Sequence, residues 1–236
     1  MEDAIRVHDG ADLVLPSSPP DTRFVPADGF EIRDVWAAYV RDDCIENDAY
    51  AGGVIRDSLF DGCNTGISQT PGMRLQRLAP EDAAKARRLR DELDGTGKTV
   101  SLERVLLRMQ LQPHPNRPER QWVQERGVVY GGGSLFKIRD RSPRFVIRDS
   151  IFAFDGRTKG SFSFPELRGC AGNTIVWLGD GDFPGAYPND CFELTRDPEV
   201  WRRAVRDWHA RHPEVGAAHK PPAGMMGDTS LIDCSG

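Results

Sequence analysis

The densest group of chemically capable side chains is the run from Arg41 to Asp48, which supplies Arg41, Asp42, Asp43, Glu46, Asn47 and Asp48, with Asp61 following shortly after. Carboxylates packed this closely suit Ca²⁺, a hard cation that takes six to eight oxygen ligands. Asp42, Asp43, Glu46 and Asp48 are the candidate metal ligands. The same residues also suit tight turns, because Asp and Asn side chains bond their own backbone. The spacing is not that of an EF-hand loop. A second chemistry needs a base beside a cation: Asp61 to remove a proton, with Arg108 or Arg41 to clamp a carboxylate and offset developing negative charge. A third group, Lys137, Arg139, Arg141 and Arg144, lies near Trp122 and Tyr130 in sequence. Lys137, Arg139, Trp122 and Tyr130 form a candidate surface for an anionic sugar chain. The five histidines are scattered, and no G-x-S-x-G elbow, H-E-x-x-H pair or phosphate loop occurs.

These residues are spaced by a repeat. EIRDVWA, VIRDSLF, SLERVLL and VIRDSIF align on Ile32, Ile55, Leu102 and Ile147, and Cys170 takes the same position in CAGNTIVWL. The steps are 23, 47, 45 and 23 residues, so a unit of about 23 explains all of them if each long step holds an excursion. The unit is β-like, with Ile, Val and Phe in short runs and Gly, Asp or Asn at the corners. Equal offsets from the core position then stack at about 4.8 Å. At offset six this predicts that Asp61 and Arg108 are neighbours, as an ion pair or as a base and its clamp. At offsets one and two, Arg33, Arg56, Glu103 and Arg148 stand beside Asp34, Asp57, Arg104 and Asp149, a wall of mutually neutralising charge.

Only two helical stretches stand out. One runs from Pro80 to Gly95, inside the 47-residue step. The other starts at Asp197 and carries Val200, Trp201, Ala204, Val205 and Trp208 at helical spacing, an apolar stripe suited to covering the last rung of an open stack. The glycines at 131–133 precede SLFKIRD, a plausible extra strand within the 45-residue step.

The rungs GFEIRDVWAAYVRDDCIEND and GGVIRDSLFDGCNTGIS resemble those of the right-handed parallel β-helix proteins of the pectate-lyase-like superfamily, over about residues 28–183. The resemblance implies an all-β solenoid with a bias toward long acidic or neutral polysaccharides bound along one lateral face. It carries over no known active-site string. The expected organisation is an N-terminal arm or incomplete rung over 1–27, the β-helix over 28–183 with a helical excursion near 79–95, a C-terminal cap helix region over 184–218 and a tail over 219–236.

A net charge of −5 gives no general pull toward phosphate backbones, which argues against a nucleic-acid partner. No apolar run has the length of a membrane helix, and the start lacks the features of a secretory signal. The chain as written therefore reads as cytoplasmic, or as extracellular if it is part of a longer β-helix. Five dispersed cysteines without a C-x-x-C pair argue against a disulfide framework and for buried thiols. Two functional readings remain: a binding or assembly module without catalysis, and a polysaccharide lyase or hydrolase built on the acidic residues.

Overall fold

The computed structural model describes residues 4–7, 29–70, 84, 93–110, 112–113, 123–125, 128–131, 133–154 and 161–217. It is predominantly β, with its main sheets parallel. One sheet has the order β14-β12-β6-β4-β2 and contains β2 (Phe30–Arg33), β4 (Gly53–Arg56), β6 (Thr99–Glu103), β12 (Arg144–Arg148) and β14 (Leu167–Ala171). The other runs β1-β3-β5-β7-β13-β15-β16, built from β1 (Ile5–Val7), β3 (Trp36–Asn47), β5 (Leu59–Gln69), β7 (Leu106–Met109), β13 (Ile151–Phe154), β15 (Asn173–Trp177) and β16 (Phe192–Thr195). The chain alternates between the two, so each unit contributes one strand to either sheet.

The register follows the repeat. Ile32, Ile55, Leu102, Ile147 and Cys170 are successive Cα partners in the first sheet. In the second, Ala37, Phe60, Leu107, Phe152, Ile175 and Leu194 form the matching column. These two columns face each other across the core, where Ile55, Phe60, Leu102, Leu107, Ile147 and Phe152 are fully buried.

Each corner between the sheets needs a residue in the left-handed region, and it falls two places after the core position. Asp34, Asp57, Arg104, Asp149 and Gly172 have φ of 55°, 45°, 54°, 51° and 67°. Asp and Gly tolerate this conformation far better than most residues, which is why the corners read Asp or Gly. Arg104 is the exception. Its guanidinium grips the preceding corner, with Nε and one terminal nitrogen each 2.7 Å from an Asp57 carboxylate oxygen. The charged wall thus includes a real cross-corner fork, and Arg56 with Glu31 is a second pair on it.

The next position closes the corner. The Ser58 hydroxyl accepts from Val35 N, Ser150 Oγ from Val105 N and Asn173 Oδ1 from Ser150 N. Each of these buried polar side chains satisfies the backbone of the layer before it, as a buried N–H requires.

The long steps are excursions. After β7 the chain leaves the stack for a three-stranded antiparallel sheet of β8 (Gln112–Pro113), β9 (Val123–Glu125) and β10 (Val128–Gly131). It returns as β11 (Phe136–Ile138), parallel to the end of β5. The SLFKIRD segment is therefore the extra strand that its sequence predicts. Gly133 precedes it where a Cβ would collide with the Asn64 carbonyl, so this glycine is required by close approach. The 47-residue step spans the interval between β5 and β6. The helix expected over Pro80–Gly95 lies mostly outside the described residues, as does nearly all of the expected N-terminal arm and tail. Ile5–Val7 of the arm pairs with the far end of β3.

Two expectations are corrected. Four of the cysteines form disulfides, Cys44–Cys63 and Cys170–Cys191, with Cα atoms 5.6 Å and 5.7 Å apart. Sequence separations of 19 and 21 are close to one repeat, so the stacking brings each pair to neighbouring layers, within the Cα range a disulfide needs. The helix Pro198–Arg211, capped by the Asp197 carboxylate on Glu199 N, forms where expected, but it does not cover the end of the stack. Trp201 and Trp208 pack with Leu59, Leu106, Ala153 and Val176, which point away from the core on the outer face of the second sheet. Its fourteen residues give about 21 Å of helix, close to the roughly 19 Å spanned by the five strands from β3 to β15. Its end reaches the first layers: Trp208 Nε1 donates to Asp57 O at 2.8 Å, His209 meets the Trp36 ring edge-on at 4.9 Å, and His212 Nε2 lies 3.1 Å from Asp34 Oδ1. The last layer continues past residue 183, because β16 adds a further strand there. Among the described residues no helix is long and apolar enough to cross a membrane.

Candidate functional site

The repeat places Asp61 and Arg108 as Cα partners on β5 and β7. Arg108 Nε stands 2.6 Å from Asp61 Oδ1, and both side chains are mostly shielded. They belong to the outward column that continues through Ala153 and Val176, the strip on which the long helix lies. His209, on that helix, has its imidazole pushed down in pKa by burial, against the upward pull of Asp61. The carboxylate is therefore engaged by its arginine at the margin of a packed helix–sheet contact. Arg41 is half-buried in the middle of β3 and takes no part in this pair.

The acidic run does not gather with Asp61. Asp61 faces Ala38 of β3, whereas Asp43 faces Thr65, four residues further along β5, a displacement of about 13 Å. Asp43 is 2% exposed, and one of its carboxylate oxygens accepts from Lys137 Nζ at 3.1 Å. Two residues expected to do different work, a metal ligand and a sugar contact, thus form one ion pair. Asp42, Glu46 and Asp48 are half-buried near it in sequence and each has interactions of its own. Among the described residues, the group of three metal-capable side chains whose ligand atoms lie within 4.8 Å of one another is Cys170, Asp190 and Cys191, and there the sulfurs are already joined.

The basic segment makes a recess. Tyr50, Thr70, Leu93, Ile138, Arg139, Asp140 and Arg141 line a cavity of about 610 Å³ beside the end of β5 and β11. The repeat explains the convergence, since Tyr50 and Ser142 each stand five residues before a core isoleucine, Ile55 and Ile147, and so occupy the same corner in different layers. Tyr50 and Arg141 both have positive φ, 52° and 62°. For bulky residues this is a costly conformation that the surroundings must hold. The Tyr50 hydroxyl donates to Asp140 O at 3.3 Å. Burial pushes its pKa up, against the pull of Ser142, Arg139 and Arg141, so it remains a neutral donor. Thr70 Oγ1 donates to Lys137 O at 3.3 Å and fixes the wall next to Lys137.

Of the expected sugar contacts, Arg139 lines the recess and Lys137 adjoins it. Tyr130 lies on β10 opposite Val123, in the separate antiparallel sheet, and Trp122 lies outside the described residues. Arg144 is turned to Glu166, 3.5 Å away on the outside. The sequence reading missed Tyr50, Leu93 and Thr70. The equal offset of Tyr50 and Ser142 was the signal that could have found the first. Leu93 and Thr70 flank an excursion, where the frame of the repeat is interrupted and gives no offset to follow. Comparison with family models, curated proteins and solved structures finds no match to this chain.

Proposed function

We propose that the chain is a parallel β-helix of the pectate-lyase-like kind that binds an acidic polysaccharide without cleaving it. The observation that carries this reading is the recess where Arg139 and Arg141 flank Tyr50 and Ile138. Two guanidinium groups offer planar forks for carboxylates, and the exposed Ile138 side chain gives an apolar face for a sugar ring. Asp61 is engaged by Arg108 against a packed helix, which disfavours catalysis. A lyase base has to meet its substrate's proton directly or through one water. The disulfides fit an oxidising compartment, where such polymers are met.

Isothermal titration with polygalacturonate and with a neutral polysaccharide tests the reading. Binding of the acidic polymer is expected, weakened by added salt and by Arg139→Ala, with no unsaturated product absorbing in the ultraviolet. Product formation that disappears in Asp61→Asn would establish the lyase alternative instead. Repeating the titration with Ca²⁺ present, in the native protein and in a double Asp42→Asn, Asp43→Asn variant, decides whether a cation contributes.

A further inference from the structure

The interior face next to the recess holds a polar group without a partner. Gln69, the last residue of β5, is fully buried, and neither its side-chain oxygen nor its side-chain nitrogen has a hydrogen-bond partner. The contrast with Asn47, at the end of β3, is direct: the Asn47 amide both donates to Ala51 O at 2.9 Å and accepts from Ala51 N at 3.1 Å. An unsatisfied buried amide is costly, so one that offers a donor and an acceptor together is a strong pointer to an absent partner. Its direction follows from the sheet. Gln69 and Ile138 are Cα partners in parallel strands, so their side chains leave the sheet on the same face, and Ile138 lines the recess. Ile138 is itself a large hydrophobic residue left exposed.

We infer that Gln69 is a specificity-determining residue buried behind Ile138 at the edge of the recess, and that the recess takes a compact acid bearing hydroxyl groups beside its carboxylate, a single sugar-acid unit or a chain end. The inference rests on the binding reading above and sharpens it from a polymer to the unit recognised. The arginines receive the carboxylate, while the amide accepts from one hydroxyl and donates to another, with Ile138 shifting to admit them. A volume of about 610 Å³ lies in the range of small-molecule pockets, which suits a compact unit.

The test uses the full chain, titrated with D-galacturonate, D-galactose and polygalacturonate. The monomeric acid is expected to bind, and the neutral sugar at least about tenfold more weakly. Gln69→Met, which keeps the apolar volume and removes the amide, is expected to lower affinity for the acid by about tenfold while leaving the melting temperature unchanged or higher. Arg139→Ala is expected to remove binding with the melting temperature unchanged. If only the polymer binds, the inference fails and the binding reading stands. If no acid binds, both fail. If Gln69→Met binds like the native protein, or melts lower, the amide is a structural group and the inference is overturned.

Discussion

Removing the Trp208 side chain tests the lateral position of the long helix. The indole is fully buried against the sheet, stacks on His212 at a centroid distance of 4.3 Å and donates its N–H to Asp57 O. A tryptophan buries about 150–250 Å², which at about 25 cal/mol per Å² gives about 4–6 kcal/mol as an upper bound. Measured Trp→Ala costs of about 3–5 kcal/mol agree with it. For a chain of this length the melting temperature should fall by roughly 6–20 °C. Trp208→Phe keeps most of the ring and loses the hydrogen bond, so about 1–3 kcal/mol is expected. Hydrogen exchange gives the sharper readout. The amides of Val35, Asp57 and Leu59, bonded to Ser58 Oγ, Glu103 O and Val35 O, belong to the first layers, and they should lose protection in Trp208→Ala. An unchanged melting temperature, or protection lost only around β16, would refute the lateral arrangement and restore an end cap.

Two further outcomes follow from the corners and the disulfides. Arg104 holds the Asp57 carboxyl below the usual carboxylate range, so this pair stabilises the fold above pH about 4 and the stabilisation is lost as pH falls through the lowered value. Asp57→Asn keeps the left-handed corner and removes the charge. It should cost about 1 kcal/mol at pH 7 in chemical denaturation, with the difference from the native protein shrinking as pH falls below about 4; a difference unchanged by acid would show that the charge is irrelevant. The double variant Cys44→Ala, Cys63→Ala opens a link with a sequence separation of 19, worth about 3 kcal/mol on the loop-entropy estimate. It should melt lower than the native protein under oxidising conditions and no lower than it after reduction.

The stack was legible because its evidence is periodic. Ile32, Ile55, Leu102 and Ile147 could be aligned without knowing anything else, and the same frame put Asp61 opposite Arg108. The position of the helix was not legible, because the stripe of Trp201, Val205 and Trp208 states that an apolar surface is met and not which one. The outer face that receives it is made of Leu59, Leu106, Ala153 and Val176. In sequence these alternate with core residues and look like part of the same apolar runs. The disulfides were missed for a related reason. Cys44 and Cys63 sit at different offsets from the core position, and in the strand register Cys63 faces Val40, so equal offsets give no sign that the two sulfurs meet. Density along the chain is also not convergence in space, because neighbouring residues of an extended strand point apart, and Asp43 stands four residues along β5 from Asp61.

Stacked repeats generally fold as one-dimensional arrays, in which any group of adjacent layers can form and melt with little regard for distant ones. The long helix changes that, since the contact of Trp208 with Asp57 joins residues 151 positions apart. Such a contact forms late and slows folding, but once made it couples the first layers to the last. During synthesis the early layers would emerge with the outer strip of Leu59 and Leu106 uncovered, open to chaperones, until the helix follows. The fold therefore completes as a single cooperative unit and not as a set of independent layers.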